Sequence, residues 1–178
     1  MKEYNRIIFV GQSGTSREPM AKGILEDFTL HHPVEVLARG LVVLFPEPLD
    51  AKAYAVLREH GYDTQNCQAQ QLEQKDIGDD VLLLTMEERQ KQKIWEQFEN
   101  ARNVYTLAEF IHHTGDILPL YGEPVESYEE WVQVMDKLLD ELVIRLNERA
   151  IHKRAADLQK KYQVMHSEEV SADDRKEE

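Results

Sequence analysis

A single cysteine, Cys67, is too few for an internal disulfide framework or a multi-cysteine metal site. Long apolar runs are also missing. No stretch reaches eighteen residues, which excludes a membrane-spanning helix. The run from Ile7 to Val10 is too short for the core of a signal peptide, and the chain reads as cytoplasmic. Basic residues are scarce: 21 Lys and Arg stand against 34 Asp and Glu, a formal net charge of −13. A surface of that sign repels nucleic acid and anionic membranes, so neither is expected as a partner. It also disfavours phosphorylated partners outside a local positive site. What remains is an ordinary soluble balance, 42% hydrophobic and 31% charged, in a chain of 178 residues long enough for one domain with an extension.

The pattern along the chain alternates strands and helices. Arg6 to Val10 is a continuous apolar run, as expected of a strand buried on both faces of a parallel sheet. It gives way at Gly11 to the small-residue loop Gly11-Gln-Ser-Gly-Thr-Ser16, and a helix opens near Glu18-Pro19, where proline loses no hydrogen bond. Val34 to Ala38 reads as a second strand, and Asp50 as the N-cap of a helix closed by His60-Gly61. Asp80 to Thr85 is a third strand, Met86 to Phe98 an amphipathic helix and Asn103 to Thr106 a short fourth strand. This order predicts a doubly wound, four-stranded parallel sheet flanked by helices. The ligand site of such folds lies beyond the carboxyl ends of the strands, which points to Gly11 through Arg17.

A loop of small residues between strand and helix can bind an anion. Its backbone N–H groups turn inward, the helix N-terminus adds partial positive charge, and Arg17 could supply a forked contact to phosphate or carboxylate oxygens. Gly11, Gln12, Ser13, Gly14, Thr15, Ser16 and Arg17 are therefore the candidate anion-binding residues, with phosphate or another small anion as ligand. Glu18 is their modulator, a carboxylate placed beside the pocket. Nothing in the pattern calls for a metal or a cofactor.

The wording of this segment carries a resemblance. Ile7-Ile-Phe-Val-Gly-Gln-Ser-Gly-Thr-Ser-Arg-Glu-Pro-Met-Ala21 resembles the opening of the low-molecular-weight protein tyrosine phosphatases. Ala38-Arg39-Gly40, Pro48-Leu-Asp50 with Ala53, Glu59-His-Gly61, Gln71-Leu72, Asp80 to Met86 and Tyr121-Gly122 resemble later motifs of that family, in order. The likeness spans residues 5 to 150. It implies the family's fold and places Arg17 on its phosphate-binding arginine.

It also implies departures. Gly11 stands where the family has its nucleophilic cysteine, Glu18 where it has a serine, and Pro119 where its aspartate general acid belongs. Asp116 and Glu123 are near in sequence but off the matching place, and Cys67 lies far along the chain from the loop. A thiolate nucleophile and a general acid supply most of the rate in such chemistry, so no catalytic residue is assigned. Ser13, Thr15 or Ser16 could attack only with an activating base, and no histidine lies in the loop. The resemblance thus implies a phosphatase-like domain without phosphatase activity, an anion- or partner-binding regulatory module. The alternative is an active phosphatase-like hydrolase with an unusual nucleophile, and an arsenate-reductase reading would need the same missing cysteine. A degenerate nucleotide loop fits worst, because Ser16, Arg17 and Glu18 fall on the decisive glycine, lysine and hydroxyl positions.

From Tyr128 a long helical pattern begins, with Trp131, Met135, Leu138, Leu142 and Leu146 at spacings of three and four. Ile151, Ala155, Leu158, Tyr162 and Met165 continue it beyond the domain, which is bounded at residue 150, into an extension of residues 151–178. Arg149, Lys153, Arg154, Lys160 and Lys161 flank this second stripe. The preferred expectation is a last helix that packs on the domain and then frays; the alternative is an overhang that meets a protein partner. Ser167 to Glu178 has an acidic excess and no periodicity, as expected of a solvated tail.

Overall fold

Side chains of the first strand alternate between two cores, and the rest of the molecule is arranged around that fact. In the computed structural model, which describes residues 3–64 and 67–173, β1 (Arg6–Gly11) sends Ile7 and Phe9 into one apolar cluster and Ile8 and Val10 into another. All four are fully buried, which is why the strand reads as an unbroken apolar run. β1 pairs in parallel with β2 (Glu35–Gly40) on one edge and with β3 (Val81–Thr85) on the other. β4 (Val104–Thr106) adds to β3, giving the order β2-β1-β3-β4 with all strands parallel. The doubly wound four-stranded sheet expected from the strand–helix alternation is the one observed.

The larger cluster lies between one face of the sheet and three helices. α1 (Arg17–Glu26) contributes Met20, Ile24 and Leu25, and α2 (Ala51–Glu59) contributes Ala53, Val56 and Leu57. The last helix, α5 (Val125–Asp173), contributes Tyr128 through Leu146. On the other face α3 (Glu88–Gln97) covers Ile8, Val10 and Leu83 with Ile94. A one-turn helix, α4 (Leu107–Phe110), seals the end of β4 with Leu107 and Phe110. It has no place in the strand–helix alternation of the sequence, because four residues are too few to show a helical period. Asp50 caps α2 as expected, accepting from the N–H groups of Lys52 and Ala53. Gly61, at φ 82°, takes the left-handed turn that ends it.

Two expectations about the C-terminus need correction. The last helix starts at Val125, three residues before Tyr128, and it runs to Asp173 as one helix. The tail expected from Ser167 is therefore helical as far as residue 173, and residues 174–178 lie outside the described residues. The stripe does not fold back on the domain. Among the described side chains Ala150 is the last buried one of the helix, while Ile151 and Leu158 are 54% and 68% exposed. The side chains of Tyr162 and Met165 lie outside the described residues.

Candidate anion-loop site

β1 has β2 on one side and β3 on the other, so the chain leaves its carboxyl end at the switch point of the sheet. The loop after Gly11 is fixed there by its carbonyls. Gly11 O accepts from Leu41 N–H at 2.9 Å, Gln12 O from Val42 N–H at 3.0 Å and Thr15 O from Asp50 N–H at 2.8 Å. Gly14 sits at φ 71°, and a β-carbon there would lie 2.9 Å from Gly40 N. Gly40 is held as tightly: its β-carbon would lie 2.6 Å from Ser13 O. Two glycines, one in the loop and one at the end of β2, thus let the loop lie against β2. Ser13 Oγ and Thr15 Oγ1 are 2.9 Å apart, and Gln12 Oε1 accepts from Lys93 Nζ at 3.4 Å. Ser16 is the N-cap residue of α1, its carbonyl accepting from Met20 N–H.

The sequence places an arginine and a glutamate at the head of α1, and the fold buries both. Arg17 is 6% exposed and Glu18 is 2% exposed. Arg17 is not left open toward the loop. Its Nη2 donates to Glu87 Oε1 at 2.8 Å and its Nη1 to the carbonyl of Ile117. Glu87 follows β3 at the same end of the sheet and takes a second donor, Arg89 Nε, at 2.7 Å. Sequence reading missed Glu87. Its position just past the strand beside β1, two residues after Thr85, was the available signal.

Glu18 lies inside the loop. Its Oε1 stands 3.9 Å from Arg17 Nε, and the N–H groups of Ser16 and Glu18 hydrogen-bond its carboxyl. Burial pushes its pKa above the ordinary carboxylate value; the Arg17 charge and those two N–H groups oppose the shift, and Glu87 adds to it. At Glu87 burial also pushes upward, but the hydrogen bonds and charges of Arg17 and Arg89 outweigh it, and its pKa lies below the ordinary value. One buried guanidinium thus serves two carboxyl groups, one inclined to stay neutral and one firmly ionised.

A cavity of ≈ 280 Å³ opens over the loop. Gln12, Ser13, Thr15, Ser16, Arg17 and Glu18 form its floor, and Asp50, Arg89, Pro119, Leu120, Tyr121 and Tyr128 its walls. The fold therefore gathers Gln12, Ser13, Thr15, Ser16 and Arg17 of the loop, with Glu18 and Pro119, around the cavity, while Gly11 and Gly14 do not line it. It does not bring Asp116 or Glu123 into the cavity. Asp116 Oδ1 accepts from Glu88 N–H at the start of α3, and the Glu123 carbonyl accepts from Lys52. Cys67 packs partly buried against the main cluster, and burial pushes its thiol pKa up. His32 is also remote, its Nε2 2.9 Å from Tyr4 O at the opposite end of the sheet. Among the described residues no group of three or more His, Cys, Asp or Glu is placed to hold a metal ion, and no helix is long and apolar enough to cross a membrane.

A parallel four-stranded sheet of order β2-β1-β3-β4, with a glycine-pinned loop and an arginine at its switch point, defines a doubly wound α/β domain with a candidate anion loop. The model of the low molecular weight phosphotyrosine protein phosphatases matches residues 6–160, and the chain belongs to that family. It is 32% identical over 143 residues to a protein-arginine-phosphatase of Geobacillus stearothermophilus, covering 79% of this chain and 95% of that one. It is 26% identical over 137 residues to the low molecular weight protein-tyrosine-phosphatase PtpB of Staphylococcus haemolyticus, covering 77% and 96%. The crystal structure of a low molecular weight protein tyrosine phosphatase from T. tengcongensis superposes with a TM-score of 0.73 at 30% identity, covering 79% of this chain and 98% of that one.

Proposed function

We propose that this chain is a degenerate member of its family, a cytoplasmic phosphatase-like domain without phosphatase activity that acts as an anion- or partner-binding regulatory module. The observation that carries this reading is the place of Glu18. Its carboxyl fills the space beside Gly11 into which a nucleophilic side chain at that position would project. Three further features support it. Glycine offers no nucleophile, Pro119 over the cavity offers no proton, and Arg17 is already committed to Glu87 and Ile117. Against an unusual nucleophile, the Ser13 and Thr15 hydroxyls bond each other, the Ser16 hydroxyl is buried, and no histidine is among the residues that line the cavity to activate any of the three.

The relatives are named for acting on protein tyrosine and protein arginine phosphates. Both substrate classes therefore belong in the test. Purified protein is expected to hydrolyse neither para-nitrophenyl phosphate nor a phosphoarginine peptide above a buffer blank. Turnover that survives repurification and disappears in Arg17→Ala would overturn the proposal. For the anion-binding half, calorimetric titration with sulfate is expected to give weak binding that Glu18→Ser strengthens. Equal affinity in the two proteins would mean that Glu18 does not govern the loop.

A further inference from the structure

Past the body of the domain, α5 carries an apolar stripe that its own chain leaves uncovered. Ile144, Ile151 and Leu158 are 52%, 54% and 68% exposed, and Ala155 between them is exposed too. At about 100° per residue these four lie within about 60° of one another, and about 170° around the helix from the face that packs on the sheet. Trp131, Met135, Leu139, Leu142 and Leu146 occupy that packed face. The stripe therefore starts on the outer side of the domain and continues along the overhang. Past Ala150 the described residues touch their own domain through polar contacts, Lys153 with Glu3 and Arg154 with the carbonyl of His31, and the apolar stripe itself gains no packing to offset the entropy of ordering it.

We infer that the stripe is an interface for a second copy of this chain, the two α5 helices running antiparallel about a two-fold axis at Ile151. The charges that flank the stripe select this arrangement. With that axis Ile151 meets Ile151 of the second copy, and Ile144 meets its Leu158. Asp140, exposed and at the same angle as Leu158, and Lys161, exposed on the adjoining flank, come within about one residue of level with each other across the pair. On the other flank Glu148 comes near His152. A parallel pairing would instead set Asp140, which lies close to the seam, against Asp140 of the second copy. Such a contact is isologous, the same patch serving both partners. Each domain body sits on the far side of its own helix, so the two bodies do not collide. Three large apolar side chains per copy make a small interface, below the ~1,200 Å² of stable complexes. Two bodies of formal charge −13 also repel each other. The association belongs at high protein concentration and moderate salt.

Sedimentation of the full-length chain over a concentration series, at about 150 mM salt to screen the net charge, tests this. The weight-average mass is expected to rise from one copy toward two. Ile151→Glu and Ile151→Lys are each expected to remain monomeric, because a like-charged pair then meets on the axis. Both are benign to the fold, since the position is more than half exposed. Mixed in equal amounts, the two variants should associate with each other. A parent that is monomeric throughout overturns the interface. Variants that dimerise as well as the parent, or a mixture that stays monomeric, overturn the register at Ile151.

Discussion

Glu18 Oε1 stands 1.5 Å from the point that a β-carbon on Gly11 would occupy, and its Cδ stands 2.2 Å from it. The glycine and the glutamate are therefore one device: the carboxyl can lie in the loop only because position 11 has no side chain. Gly11→Ala should expel Glu18 from a buried place and cost about 1–3 kcal/mol, the usual range for overpacking. The same substitution in a Glu18→Ala background should cost little. Urea unfolding of the four proteins gives the coupling directly, and strict additivity would show that Glu18 leaves the loop without consequence.

The same geometry predicts that restoring a thiol is not enough. In Gly11→Cys the new side chain and Glu18 compete for one space, and Pro119 still offers no proton. The single variant is expected to stay at the blank for para-nitrophenyl phosphate. Gly11→Cys with Glu18→Ser clears the space and should show thiol alkylation at a rate above that of the single variant. Family-like turnover by the single variant would refute the argument.

Much of this was legible in the sequence, for identifiable reasons. The short unbroken run Ile7 to Val10, broken at once by small residues, reads as a strand with two covered faces, and Asp50 and Gly61 mark the ends of α2, one by its side chain and the other by its left-handed backbone. The loop showed itself by its small residues and by Arg17. Other features depended on long-range contacts that no local pattern carries. Glu87 holds Arg17 across 70 positions of chain, and Gly40 is required by the approach of Ser13 O from another element. The full length of α5 was not legible, because charged, aperiodic residues after Ser167 look like tail while still forming helix. Glu18 was legible as a modulator, but its place at Gly11 depends on how tightly the loop closes.

The raised pKa of Glu18 has a signed consequence for stability. A carboxyl that binds its proton more tightly folded than unfolded stabilises the fold as pH drops through the folded pKa, and ionising it in place costs stability above that point. Glu18→Gln, which cannot ionise, should therefore be more stable than the parent at neutral and mildly alkaline pH. The gap should close as pH falls toward the ordinary carboxylate range. Thermal melts of both proteins across that range check the sign, and a parent that gains on the Glu18→Gln variant with rising pH would contradict it.

Glu87 has the opposite sign. Its pKa lies below the ordinary value, so its contribution is complete above the unfolded carboxylate pKa and is lost as pH falls through the folded one. Removing it with Glu87→Ala leaves the Arg17 guanidinium, 6% exposed, without its ionised partner. Breaking a buried pair from one side costs about 3–5 kcal/mol. Glu87→Ala should lose stability of that order at pH 7, and the loss should shrink in acid, where Glu87 is protonated in the parent too. The double variant Arg17→Ala, Glu87→Ala should lose less than the sum of the singles, because no charge is then stranded. Arg17 Nε is already 3.9 Å from Glu18, so in Glu87→Ala the guanidinium has one carboxyl left to turn to. Glu18 should then ionise more readily. If so, the stability gained through Glu18→Gln at neutral pH will be smaller, or reversed, in the Glu87→Ala background than in the parent.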